Sequence, residues 1–350
     1  MKIYMVTRNP FDAVANPYVA SLMESIDAQF GDVNWGYGLD VFWKNEVFCY
    51  DIVHIQWPHM LVTKRSSEEL VNRIVALKEH GVKIVATCHN LEPHYSSNDD
   101  EKKSYDIVYK MSDLVLHLGT YSLDFLRKKY PCVGHVLLQH QTLDTIYKHV
   151  PSKEEALRVL HLKRDNKYVL CFGLFRNDEE RNLIISLADK LNPKRIKILA
   201  PSFYRLPNRR NPLLKVVPFL KYVACRFRFP GIKMYLKYVS DDMLPYFYAA
   251  ADIALIQRVK ILNSGNVPLA CLMKKVVVGP NYGNVGLLLK EINNPSFEVN
   301  DELSIESAVD KALLDSANGK GLENYDYALA HFSTAIIAAK LHSYYKECLT

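Results

Sequence analysis

Five short stretches carry residues able to handle a charged or hydroxyl-rich ligand, and each follows an apolar run. The first, Arg8-Asn9-Pro10-Phe11, continues to Asn16-Pro17-Tyr18. Two Asn-Pro pairs mark tight turns, so Asn9 and Asn16 either serve turn chemistry alone or line an acceptor-side loop. The second is His89-Asn90-Leu91-Glu92-Pro93-His94. Its spacing fits no helical metal-ligand motif and Pro93 bars a helix through it, so no metal is expected. His89 suits contact with a sugar hydroxyl or phosphate oxygen; the competing reading has it tie down its own loop. In the third, Gly173-Leu174-Phe175-Arg176, the guanidinium could meet the charge that grows on a departing diphosphate. The fourth runs from Arg258 to Pro268. There Asn263 and Ser264 can cap a helix, Gly265 permits a turn, and Pro268 sits in the first turn. The free N–H groups, with Asn266 among them, would face a phosphate, and Arg258 and Lys260 would add full charges. A cap alone explains Ser264 and Gly265 but not the two cations. The fifth, Gly279 to Gly286 with Asn281, is a small-residue loop and a weak phosphate cradle by itself.

These stretches need rigid elements before them. Ile3–Val6, Ile52–Gln56, Lys83–Cys88, Leu114–Leu118 and His135–Leu138 read as strands, and Asn16–Phe30, Ser66–His80 and Ser122–Tyr130 as helices. The strands are continuous apolar runs without alternation, the pattern of strands covered on both faces, hence a parallel sheet. A polar, charged stretch around Tyr147–Asn166, containing Pro151, marks a domain boundary. A second alternating set follows. Its strands are Tyr168–Phe172, Ile196–Ala200, Lys233–Tyr238, Ile253–Ile256 and Val276–Val278. Its helices are Glu180–Lys190, Asp241–Ala250 (opened by Ser240 and Asp241), Val267–Met273, Ser304–Asn318 and Tyr325–Cys348. The expected fold is α/β: two Rossmann-like domains, residues 1–150 and 160–334, with parallel sheets facing a central cleft and ligands at the carboxyl ends of the strands.

The length of 350 residues suits two domains. Seven cysteines, an odd number with no C-x-x-C pair, argue against a disulfide framework or zinc site and for a reducing compartment. No secretory signal or membrane-length apolar run is read, so a cytoplasmic protein is expected. The net charge of +6 is local: nine of the 44 basic residues lie between Phe203 and Val239, which holds no Asp or Glu, leaving 35 basic against 38 acidic residues elsewhere. Eight aromatics interleave with these cations. The mixture suits peripheral contact with an anionic membrane, or an ordinary solvated face over core aromatics. No nucleic-acid motif accompanies it, and nucleic acid is not expected as a partner.

Taken in order, these residues resemble the retaining GT-B glycosyltransferases, in particular family 4 and its relatives. The similarity rests on FGLFR at Phe172–Arg176, YFYAAADIALIQR at Tyr246–Arg258, NSGNVPLA at Asn263–Ala270 and KKVVVGPNYGN at Lys274–Asn284. TCHNLEPH at Thr87–His94 and LLQHQTLDTIY at Leu137–Tyr147 extend it into the first half. The resemblance implies transfer of a glycosyl group from a nucleotide-sugar donor to a saccharide or lipid-linked acceptor, with retention and without a metal or cofactor. It implies that His89 faces the transferred sugar, that Arg176 stabilises the diphosphate, and that Gly173, Arg258, Asn263, Ser264, Gly265, Asn266 and Asn281 serve the donor. Asn9, Asn16, Asn90 and His140 would lie on the acceptor side, and a final helix, about 335–350, would cross back to the first domain. Two departures stand out. The family's Lys after Arg176 is absent, with Arg181 nearby, and Asn263 and Cys271 replace its pair of Glu. A non-catalytic scaffold on this frame, or a sugar-nucleotide epimerase, are the alternatives.

Overall fold

A computed structural model describes residues 1–12, 15–93, 98–204, 216–235, 239–299 and 301–350. The chain forms two compact units: Met1–Ile146 with Ala330–Thr350, and Tyr147–Leu329.

The first unit is built on β1 (Lys2–Val6), α1 (Pro17–Gln29), β2 (Asn34–Tyr37), β3 (Ile52–Ile55), α2 (Ser67–Glu79), β4 (Lys83–Cys88), α3 (Asp99–Met111), β5 (Leu114–His117), α4 (Thr120–Lys129) and β6 (Gly134–Leu137). All six strands are parallel in the order β2-β1-β3-β4-β5-β6. Strands β3 and β4 are almost wholly buried, which is why they read as unbroken apolar runs. Helix α2 starts on a reciprocal capping box between Ser66 and Glu69. Strand β2 escaped sequence reading because Asn-Trp-Gly-Tyr is an exposed edge segment without an apolar run.

The second unit comprises α5 (Lys153–Val159), β7 (Lys167–Leu170), α6 (Asp178–Leu191), β8 (Ile196–Leu199), α7 (Val216–Arg228), β9 (Ile232–Lys233), α8 (Leu244–Ala250), β10 (Ile253–Leu255), α9 (Asn266–Leu272), β11 (Val276–Pro280), α10 (Gly283–Glu291), β12 (Ser296–Phe297) and α11 (Glu302–Ala317). Its strands are again all parallel, ordered β12-β11-β10-β7-β8-β9. Both units therefore show the expected α/β, Rossmann-like design. Three expectations need correction. Asp241 does not open α8, which starts at Leu244 without a side-chain cap; the Asp241 carboxylate instead accepts the Tyr147 hydroxyl at 2.9 Å. The expected strand Lys233–Tyr238 is only β9, and residues 236–238 lie outside the described residues.

The expected single helix Tyr325–Cys348 is two, α12 (Lys320–Phe332) and α13 (Thr334–Leu349), broken at Ser333 with φ −56° and ψ 147°. The break falls near the change of unit, and α13 supplies Ile337, Ala338, Leu341 and Tyr345 to the core of the first unit beside Tyr18, Val19, Leu22 and Ile26 of α1. Its first turn is held by Asp144, whose Oδ1 accepts the Thr334 N–H (2.7 Å) and the Thr334 and Thr142 hydroxyls (both 2.8 Å). No helix among the described residues is long and apolar enough to cross a membrane.

Candidate functional site

In a doubly wound sheet, ligands gather at the carboxyl ends of the strands where the strand order reverses. In the second unit that point lies between β7 and β10, since the chain runs β7-β8-β9 to one side and continues with β10 on the other. The loops leaving these two strands meet there. Gly173 has φ +113°, a value L side chains rarely adopt, and a Cβ on it would stand 3.4 Å from the Asn266 Nδ2 and 3.7 Å from an Arg258 guanidinium nitrogen. Asn266, the first residue of α9, donates its amide to the Phe172 carbonyl at 2.8 Å. It thereby locks the loop after β10 to the glycine turn after β7. Gln257 is 2 % exposed, also faces Gly173, and its Nε2 has no hydrogen-bond partner among the described residues.

Arg176 lies three residues beyond Gly173 and is partly buried. Its backbone N–H donates to the buried carboxylate of Glu180 at 2.8 Å, while Asn177 caps α6 by accepting the Glu180 N–H. The Arg176 guanidinium makes no hydrogen bond or ion pair with a described residue. Arg181 is differently placed. It bonds Asp178 at 3.2 Å and the Phe175 carbonyl at 3.3 Å, folded against the start of its own helix.

The loop from Arg258 to Asn266 departs from expectation. Neither Asn263 nor Ser264 caps α9; Gly265 is the cap residue, without a side-chain hydrogen bond, and its φ of −62° is open to any residue. The Asn263 side chain is occupied instead, accepting the Asn284 amide at 2.7 Å and so binding this loop to the start of α10. Ser264 receives the Val267 N–H on its carbonyl at 3.2 Å. Residues 263–266 are nevertheless partly exposed in an otherwise buried run, so they face outward at the strand end. Asn281 gives its amide to Glu298 at 2.7 Å and its N–H to the Phe297 carbonyl, which fixes the edge of the sheet. Cys271 is 1 % exposed within α9, and burial raises its thiol to about 12. That position points into the core and offers a ligand nothing.

In the first unit the strand order reverses between β1 and β3. Gln56, just past β3, accepts the His89 Nε2–H on Oε1 at 2.9 Å and donates its amide to His54 Nε2 at 3.1 Å. His54 then donates from Nδ1 to the Tyr345 hydroxyl at 2.6 Å. The chain of bonds fixes the tautomer of His89, with the proton on Nε2 and the lone pair on Nδ1. The ring of His89 is stacked on Trp57 (4.8 Å) and meets Tyr18 edge-on (5.1 Å), and His140 packs on the same Tyr18 ring at 4.8 Å. Burial, with His140 and His54 nearby, pushes the His89 imidazole down to about 3. Burial also lowers His140, although its bond to the Gln141 carbonyl works the other way. Both rings are thus neutral hydrogen-bonding groups at neutral pH. The Tyr18 hydroxyl is buried without a partner among the described residues. Asn90 contributes its carbonyl to the Tyr109 hydroxyl at 2.6 Å.

Asn9 and Asn16 have local employment. Asn9 closes a turn by accepting the Phe11 N–H (3.1 Å), and Asn16 caps α1 by accepting the Tyr18 N–H (3.0 Å). His94, the other histidine of the loop after β4, lies outside the described residues. Among the described residues no group of three or more His, Cys, Asp or Glu could hold a metal. Tyr18, Gln56, Trp57 and Gln257 were missed in the sequence. The usable signal was an amide side chain immediately after an apolar strand, present at both Gln56 and Gln257.

No family model and no curated protein matches the sequence. Solved structures do match over nearly the whole chain. Sucrose-phosphate synthase from Thermosynechococcus elongatus superimposes with a TM-score of 0.73 at 14% identity, covering 99% of this chain and 98% of that one. HepE of Anabaena, solved in complex with UDP, gives 0.70 at 13% identity over 99% and 100%. The chain has the GT-B fold. The GT-B likeness extends to a putative UDP-N-acetylglucosamine 2-epimerase from Listeria monocytogenes, with a TM-score of 0.62 at 11% identity over 99% and 97%.

Proposed function

We propose that this GT-B chain transfers a sugar from a nucleoside diphosphate donor to a saccharide acceptor. The observation that carries the reading is the convergence of Gly173, Gln257, Arg258 and Asn266 at the switch point of the second unit, in a fold shared with a protein solved with UDP. Gly173 lets a ligand approach the backbone closely, and Arg176 and Arg258 supply the positive charge that a leaving diphosphate requires as its bond to the sugar breaks. In the first unit, His89 presents a neutral ring rather than a charge, in keeping with recognition of an uncharged sugar. The finer assignments rest on the resemblance of the motifs to family 4: a hexosyl donor, retention at the anomeric carbon, no metal, and a role in surface polysaccharide synthesis at the inner face of the membrane, on a free or lipid-linked acceptor.

Calorimetry with UDP-, GDP- and ADP-sugars tests the reading; a chain that binds none of them is not such an enzyme. Arg176→Ala should then lower turnover by about 10²–10³, the usual effect of deleting one charge-stabilising group, and unchanged turnover would remove Arg176 from the chemistry. The Listeria likeness favours one second reading, a sugar-nucleotide epimerase. Isomerisation of the donor without any acceptor would establish that reading instead.

A further inference from the structure

Helix α7 is inverted relative to an ordinary surface helix. At 100° per residue, Pro218, Tyr222 and Cys225 share the inward face; Tyr222 is buried, Cys225 packs on the core, and the Tyr222 hydroxyl bonds the Met234 carbonyl at 3.2 Å. The opposite pole should be charged. Here it is Val216, Leu220, Ala224 and Phe227, with Leu220 60% and Phe227 83% exposed. The cations sit on the flanks, Lys221 and Arg228 on one side and Arg226 on the other, all exposed. Two of them lean back along the body: Arg226 lies 5.8 Å from the Tyr222 ring and Arg228 5.5 Å from the Phe229 ring. Among the described residues the apolar ridge, with Val216, Leu220 and Phe227, stays exposed between them.

We infer that the outward ridge of α7 docks in the plane of an anionic lipid bilayer, with Val216, Leu220 and Phe227 among the acyl chains and Lys221, Arg226 and Arg228 at the phosphates. The occupant follows from charge. The sequence from Phe203 to Val239 contains no acidic residue, so along α7 an anionic surface meets cations and no like charge. A second copy of the same ridge would bury the apolar residues but oppose cation to cation. Thirteen residues make a rod of about 20 Å, too short to span a bilayer and suited to lying in its interface. The inference rests on the reading above only for its purpose, bringing a lipid-linked acceptor to the enzyme, and is tested without any sugar.

The full chain is floated with vesicles of phosphatidylcholine alone and of phosphatidylcholine with phosphatidylglycerol. It should rise with the anionic vesicles only, and stay down in 1 M salt, where the Debye length shrinks to about 3 Å. Combining Leu220→Ser with Phe227→Ser should lower partitioning roughly a hundredfold, and Arg226→Gln about fivefold, with nucleotide-sugar binding unaltered in both. A chain left at the bottom with anionic vesicles at low salt overturns the inference. So does equal flotation with neutral vesicles, or a dimer that the double substitution splits. A chain that floats yet binds no nucleotide sugar keeps this surface and loses the transferase reading.

Discussion

Two glycines that look alike in the sequence differ in what the backbone asks of them. Gly173 occupies φ +113°, whereas Gly265 sits at φ −62°. Gly173→Ala is therefore expected to destabilise the second unit by about 1–3 kcal/mol, and Gly265→Ala to stay within about 1 kcal/mol of the parent chain. Denaturant titration of both variants decides it, and equal midpoints would sink the distinction. The same scale explains what could be read of the site beforehand. His89, Arg176 and Arg258 announce themselves by residue type at strand ends. Gln56 and Gln257 do not, because a neutral amide gains meaning only from what a second strand end sets beside it, a bonded His89 in one case and the bare turn at Gly173 in the other. Asn263, Asn266 and Asn281 are expected to serve the donor; their side chains hold loops together, Asn263 by accepting from Asn284, Asn266 and Asn281 by donating to Phe172 and Glu298.

At the scale of elements, buried parallel strands were legible because both faces need apolar side chains, and β1, β3, β4, β7 and β10 all follow that rule. Helix α7 was hidden by its exposed apolar ridge, which blurs the polar face that marks a surface helix. The break between α12 and α13 was hidden for another reason: Ser333 is no strong breaker, and the partner that stops the helix, Asp144, is 190 residues away. Asp144 accepts three hydrogen bonds at the start of α13. Asp144→Ala should cost about 1–3 kcal/mol and speed amide exchange across Thr334–Leu349, while Asp144→Asn, which keeps the accepting oxygen, should lose less. Exchange rates unchanged by the alanine would show that α13 is held by packing alone.

For the molecule as a whole, two further buried histidines add to His89 in shaping the response to acid. His54 (1 % exposed) and His117 (0 %) are both pushed down to about 3, chiefly by burial. Each takes up its proton near 6.5 once unfolded, so the unfolded chain binds more protons throughout the interval between. Stability is then full above about pH 6.5 and declines as pH falls toward 3, by up to about 3 kcal/mol per pH unit from the pair. Melting temperatures should drop steeply between pH 6 and pH 4; a flat profile there would contradict the neutral, buried state of both rings. The position of α13 carries a different consequence. A nascent chain emerges from the ribosome in order, and the first unit cannot close its hydrophobic interior until Ile337, Leu341 and Tyr345 have appeared. The second unit can therefore fold while its predecessor waits incomplete, with the α1 surface in need of a chaperone's cover during translation.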